Sequence, residues 1–182
     1  MQIIFLDRDG VINRFPGKGR YVTRSRELKV FPQALKGIRL LTEAGYRLAV
    51  VSNQGSVSRG LLSKKDLDLM TRQMLHKIRA KGGKIHKVYY CIHQTSDQCE
   101  CKKPKTALYK KALKGSRVDL NKVFVIGDSV EDISAGHALG CQTILVLTGR
   151  NQRKDVKFFP LKPHFVKKNL LEAAQWLLKK RS

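Results

Sequence analysis

The chain has 182 residues, 42% hydrophobic and 28% charged, a balance that supports a buried core and excludes a disordered polymer. Its 37 Lys and Arg stand against 14 Asp and Glu, for a formal net charge of +23, which favours anionic partners such as phosphorylated metabolites, nucleic acid or anionic lipid. No apolar run is long enough to cross a bilayer and the first residues show no secretory pattern, so the expectation is one cytoplasmic domain spanning 1–182, monomeric and without a membrane partner.

Ile3-Ile4-Phe5-Leu6 reads as a buried strand that stops at Asp7-Arg8-Asp9-Gly10. Asn13 to Glu27, rich in Gly and Arg, reads as a loop or flap. Pro32 then opens a helix with Ala34, Leu35, Ile38, Leu41 and Ala44 at helical spacing, stopped at Gly45. Arg47 to Val51 is a second strand and runs into Ser52-Asn53-Gln54-Gly55. Ser63 is placed as the N-cap of a helix carrying Leu67, Met70, Met74, Leu75 and Ile78, ended by Gly82-Gly83. Lys87 to Tyr90 is a third strand leading into a cysteine cluster. A helix after Pro104 is expected to turn Ala107, Leu108, Ala112 and Leu113 inward. Lys122 to Ile126 is a fourth strand, ending at Gly127-Asp128-Ser129, and the helix after it carries Ile133, Ala135, Ala138 and Leu139. Thr143 to Leu147 is a fifth strand, His164 to Val166 a short sixth, and Leu170 to Lys180 a closing helix with Trp176 inward.

Near-continuous apolar strands alternating with helices indicate an α/β fold, a doubly wound parallel sheet covered on both faces. Ligands in such sheets sit beyond the carboxyl ends of the strands, and that is where the polar clusters fall. Only nine aspartates exist, and four of them form two tight groups, Asp7 with Asp9 and Asp128 with Asp132. Together with Ser52, Asn53, Lys102 and Lys103 they suit phosphoryl transfer. Asp7 can attack phosphorus and form an acyl phosphate, and Asp9 can protonate the leaving oxygen and then deprotonate water. Asp7 and Asp128 can hold a hard divalent cation, while Ser52 and a lysine grip the non-bridging oxygens. Asn53, Lys102 and Arg59 are further candidates for contacting phosphate.

A second constellation is Cys91-Ile92-His93, five residues, then Cys99-Glu100-Cys101. Three thiols and an imidazole match a closed Cys3His structural zinc site, and a C-x-C pair makes a poor disulfide. The zinc loop 91–101 would also fix the lysines that follow it.

The order LDRDG, VVSNQ, KKP and VIGDS resembles the haloacid dehalogenase superfamily, whose members are mostly Mg-dependent phosphatases working through an aspartyl phosphate. The resemblance implies a Rossmann-like domain with Asp7 as nucleophile, Asp9 as general acid/base and donor of its backbone carbonyl to Mg2+, Ser52 as phosphoryl ligand, Lys103 as stabilising cation and Asp128 as the second Mg2+ carboxylate. The C-x-H…C-x-C-x-K-P pattern is similar to that of the D,D-heptose bisphosphate and histidinol-phosphate phosphatases, which lack a large cap and carry a zinc loop. Asn53-Gln54-Gly55-Ser56-Val57-Ser58-Arg59-Gly60 and Thr148-Gly149-Arg150 resemble the heptose enzymes. Lys102 stands where these families usually have arginine, and Ile92 where proline is common; the first exchange replaces a two-pronged fork with a point charge and bears on substrate choice. The expected function is hydrolysis of a small sugar phosphate, foremost heptose 1,7-bisphosphate to the 1-phosphate. Histidinol phosphate is the nearest alternative. A nucleic-acid 3′-phosphatase is possible but not favoured, and a non-enzymatic basic binding protein comes last.

Overall fold

The computed structural model describes residues 2–181, with the side chain of Arg181 excepted. Six strands form one parallel sheet in the order β3-β2-β1-β4-β5-β6, with β1 at Ile3–Leu6, β2 at Arg47–Asn53, β3 at Lys87–Cys91, β4 at Phe124–Gly127, β5 at Gln142–Val146 and β6 at Phe165–Lys167. The strand order reverses between β1 and β4, and this crevice is where doubly wound sheets bind ligands.

Both faces of β1 are covered, which is why its sequence is apolar without alternation. Ile4 and Leu6 join the larger core, built with α1 (Pro32–Glu43), α2 (Lys64–Arg79) and α5 (Leu170–Arg181). Ile3 and Phe5 face the other way, toward α3 (Ala107–Leu113) and α4 (Val130–Ala138). Local signals explain the helix limits. Pro32 occupies the first turn of α1, and Gly45 past its end has a φ of +79°, the left-handed stop that glycine allows. Ser63 caps α2 by accepting from the Asp66 amide, and Ser129 caps α4 by accepting from that of Asp132.

Two helical faces depart from the expected stripe. In α3 Leu108, Ala112 and Leu113 pack against the core as expected, but the fully buried residue is Tyr109, edge-on against Phe5, and Ala107 is exposed. In α4 Ala138 is exposed and Gly136 takes the buried position, because a Cβ there would collide with Thr143 on β5. Small residues give a weak phase signal, and a large aromatic takes the most buried place. Trp176 lies at the sheet edge, half-buried, packed on Phe165 at a centroid distance of 4.2 Å. The 13–27 segment is irregular apart from bridges at Asn13 and a 3-10 turn at Ser25–Glu27, and is pinned to the core by buried Val22 within it and Leu28 just after it. No helix among the described residues is long and apolar enough to cross a membrane.

Candidate active site and metal centre

β1, β2 and β4 end side by side, so their C-terminal residues converge on one cavity of about 330 Å3. Its lining includes Asp7, Asp9, Ser52, Asn53, Arg59, Lys102, Lys103 and Asp128, every phosphate-site and Mg2+-site residue expected from the sequence. Phe15 and Tyr21 of the 13–27 segment also line it, each with a guanidinium over its ring: Arg150 at 5.6 Å from the Phe15 centroid and Arg59 at 5.9 Å from that of Tyr21.

Lys103 is the hub. Its ammonium, 3% exposed, donates to Asp7 Oδ1 at 2.8 Å, Asp132 Oδ1 at 2.6 Å and the Val51 carbonyl at 2.9 Å. Burial opposes its charge, but the Asp132 and Asp7 carboxylates outweigh this and hold the ammonium well above the ordinary lysine range. Asn53 fixes this lysine in place: its amide donates to the Lys103 carbonyl at 3.2 Å and accepts from the Lys103 N–H at 3.0 Å. Both ends of the Asn53 side chain are therefore engaged with the Lys103 backbone, and Asn53 also lines the cavity. Lys102 points its ammonium to Thr95 Oγ1 at 2.6 Å, on the cavity rim.

Asp7, Asp128 and Asp132 bring carboxylate oxygens within 4.8 Å of one another, all in buried surroundings. One ammonium cannot balance three carboxylates there. Burial raises the Asp7 carboxyl to about 6, with Lys103 pulling down and Asp132 pushing up. Burial and the charges of Asp7 and Asp132 lift Asp128 well above the usual carboxylate range. A buried oxygen-donor set with surplus negative charge fits a hard divalent cation. Asp132 divides its oxygens: Oδ1 pairs with Lys103 and Oδ2 accepts from the Ser129 hydroxyl at 2.6 Å and its N–H at 3.2 Å. It is therefore both a helix-capping carboxylate and a charge partner of the site, two roles between which the sequence alone does not choose.

The loop after β5 closes on this point. Asp128 Oδ2 accepts from the Arg150 N–H at 2.5 Å, and Thr148 Oγ1 donates to the Gly10 carbonyl at 2.6 Å. Gly10 and Gly149 both lie where a Cβ would run into the Asp128 carboxylate, so close approach requires glycine at each, and at Gly10 the φ of +89° requires it as well.

Asp9 is held differently. Oδ1 accepts from Arg8 Nε at 3.1 Å and Asn13 Nδ2 at 2.7 Å; Oδ2 accepts from Arg8 Nη2 at 2.9 Å and Gln54 Nε2 at 2.9 Å. Burial works to raise this carboxyl, yet the Arg8 charge and the hydrogen bonds together hold it below the usual range. Arg8 and Gln54 were not singled out from the sequence. An arginine in a chain rich in them carries no signal, and strand alternation does not reveal a buried side-chain pair.

The four predicted zinc ligands also come together. Cys101 Sγ lies 3.0 Å from Cys91 Sγ and 3.5 Å from Cys99 Sγ, Cys91 to Cys99 is 3.6 Å, and His93 Nδ1 is 3.2 Å from Cys101 Sγ and 3.8 Å from Cys91 Sγ. A tetrahedron with Zn–S bonds of 2.3 Å has sulfur–sulfur edges of about 3.8 Å, so the cluster is close to the shape a zinc ion needs, and all cysteines are free. Burial pushes the Cys91 thiol up, while at Cys99 burial is outweighed by backbone and thiol donors that draw it down to about 7. The loop is tied to the cavity wall: Ser58 Oγ donates to Asp97 Oδ2 at 2.5 Å, the Gln54 N–H donates to the Cys91 carbonyl at 2.6 Å, and Gln94 and Thr95 line the cavity.

Comparison with known proteins agrees with this geometry. The HAD-hydrolase-like family model matches residues 100–173. The D-glycero-β-D-manno-heptose-1,7-bisphosphate 7-phosphatase of Pseudomonas aeruginosa is 33% identical over 151 residues, covering 83% of this chain and 84% of that protein. The enzyme of the same name from Pasteurella multocida is 33% identical over 161 residues, covering 85% and 86%. Among solved structures, D,D-heptose 1,7-bisphosphate phosphatase from B. bronchiseptica, complexed with magnesium and phosphate, superposes with a TM-score of 0.91 at 32% identity over 99% of both chains.

Proposed function

Because this chain belongs to the D-glycero-D-manno-heptose-1,7-bisphosphate 7-phosphatase family of haloacid dehalogenase-like hydrolases, we propose that it removes the 7-phosphate of D-glycero-β-D-manno-heptose 1,7-bisphosphate through a phosphoryl group carried on Asp7. The observation that carries this reading is Asp7 at the switch point of the sheet, salt-bridged to Lys103 and clustered with Asp128.

In this reading the bound phosphate dianion raises the Asp9 carboxyl against the pull of Arg8, so that it carries a proton; Asp7 attacks phosphorus and expels the sugar oxygen, which takes that proton, and water then attacks the phosphoryl-aspartate and gives its proton to Asp9. Ser52 and Lys103 hold the non-bridging oxygens as charge moves onto them. Asp7 and Asp128, with the Asp9 backbone carbonyl, would hold Mg2+, which when bound offsets repulsion between carboxylate and phosphate. Arg59, Lys102 and Arg150 on the cavity rim supply positive charge for the sugar's second phosphate. Cys91, His93, Cys99 and Cys101 would hold a closed, structural Zn2+ that braces residues 91–103 as one wall of the cavity. Residues 1–182 act as one catalytic domain.

Phosphate release measured with Mg2+ on heptose 1,7-bisphosphate, histidinol phosphate and a 3′-phosphorylated oligonucleotide tests the assignment. The bisphosphate is expected to lead in kcat/KM by about 100-fold or more, the range that recognition of a second charged group provides. Preference for either competitor would replace the heptose reading.

A further inference from the structure

Arg8 is 1% exposed, yet it carries a charge that no established step uses. Its guanidinium forks onto Asp9 with two bonds, Nε to Oδ1 at 3.1 Å and Nη2 to Oδ2 at 2.9 Å, and lies 5.8 Å from the centroid of Tyr90 on β3. Tyr90 is itself fixed by a 3.0 Å hydrogen bond between its hydroxyl and Thr71 Oγ1. Burying a guanidinium is unfavourable unless a carboxylate meets it bidentately, so the pair holds one geometry. Gln54 Nε2 donates to Asp9 Oδ2 at 2.9 Å and to Ser52 Oγ at 3.2 Å, and Asn13 Nδ2 donates to Asp9 Oδ1 at 2.7 Å.

We propose that Arg8 is a positioning residue for the reaction, with Gln54 as its second arm: together they fix the Asp9 carboxylate and register it against Ser52, so that proton carrier and phosphoryl ligand are placed as one unit. Lysine could not replace this fork, because an ammonium offers a point charge and no fixed pair of parallel donors. The assignment rests on Asp9 being the proton carrier, and it makes the two half-reactions depend differently on Arg8.

An aryl phosphate separates them. When Asp7 displaces 4-nitrophenolate from 4-nitrophenyl phosphate, an aspartate–phosphorus bond forms, the aryl oxygen–phosphorus bond breaks, and the leaving group departs with its electron pair needing no proton. In the second step water attacks phosphorus, its proton passes to Asp9, and the bond to Asp7 breaks to release phosphate. A sugar phosphate needs a proton from Asp9 in the first step as well.

Rapid mixing of the Mg2+-loaded full chain with 4-nitrophenyl phosphate, for wild type, Arg8→Met, Arg8→Lys and Gln54→Met, reads the difference. Arg8→Met is expected to release close to one equivalent of 4-nitrophenolate in a fast burst and then turn over about 10²-fold more slowly than wild type or worse, the range of a lost proton-transfer contribution. On heptose bisphosphate the same variant should lose the first step too, with no burst of product. Arg8→Lys should behave as Arg8→Met, and Gln54→Met should show the same pattern more weakly, which keeps the test open if Arg8→Met does not fold. Wild-type kinetics on both substrates for a folded Arg8→Met, or for Gln54→Met where Arg8→Met is insoluble, would overturn the proposal. Loss of the burst together with turnover in a folded Arg8→Met would overturn it as well, by making Arg8 a structural residue. A burst that persists in Asp7→Asn contradicts the nucleophile assignment instead, so the two failures are distinct.

Discussion

Lys103 bridges Asp7 and Asp132 with almost no access to water, and removing one member of such a cluster leaves uncompensated buried charge. Lys103→Met is therefore expected to lower stability by about 3–5 kcal/mol and to reduce turnover to background, measured by urea denaturation and phosphate release. A stable, active Lys103→Met would show that the lysine is incidental. Asp7 gives a prediction in pH. With its carboxyl raised from 3.8 to about 6 in the folded, metal-free protein, the folded state holds that proton more tightly than the unfolded chain. The resulting cost to stability sets in as pH rises above 3.8 and is fully present above about 6. A cation competes with the same proton, so the rise in Tm on adding Mg2+ should grow as pH goes from 5 to 8. An increment that shrinks over that range would contradict the buried-carboxylate account. At this scale the sequence exposed the groups at strand ends, Asp7, Asp9, Ser52 and Asp128, because a strand end marks a site. It concealed Arg8 and Gln54 and left Asp132 undecided, because pairing among buried side chains depends on the third dimension.

The zinc loop shows how an element transmits order to the site. Cys101 is followed at once by Lys102 and Lys103, and Ser58 clasps Asp97 from the strand-end loop opposite. Metal-binding energy at such a cluster is folding energy for the loop. Cys101→Ser is expected to lose the bound zinc, counted by elemental analysis. It should also lower Tm by more than about 5 °C, given shifts of about 2–4 °C per kcal/mol in a domain of this size, and reduce kcat through the misplaced Lys103. Zinc loss with unchanged Tm and kcat would show that the loop holds without metal. The clustering of Cys91, His93, Cys99 and Cys101 was legible from spacing alone, since a Cys3His set within eleven residues has few other uses. The place of Tyr109 in α3, by contrast, was not: Leu108, Ala112 and Leu113 pack inward as their spacing indicates, but Tyr109 is the fully buried side chain and Ala107 is exposed.

For the molecule as a whole, the charge of +23 surrounds a cavity whose rim carries Arg20, Arg59, Lys102 and Arg150. A field of this sign gathers a multiply charged anion and is screened within about 10 Å at 0.1 M salt. KM for the bisphosphate is therefore expected to rise several-fold between about 50 and 500 mM salt while kcat changes little; a salt-independent KM would mean that the charge does not steer substrate. The parallel sheet and its helices were readable because apolar runs and helical stripes alternate without interruption. The irregular 13–27 segment yielded less, since its ordering comes from Val22 and Leu28 reaching the core and not from any repeating pattern. The account as a whole depends on Asp7 carrying the phosphoryl group. Acid-quenching the Mg2+-loaded chain during turnover and mapping the phosphoryl group by mass spectrometry tests this directly. One hydroxylamine-sensitive phosphoryl group on the peptide that contains Asp7, absent in Asp7→Asn, is the expected result. A phosphoryl group on any other residue, or full turnover by Asp7→Asn, would contradict it.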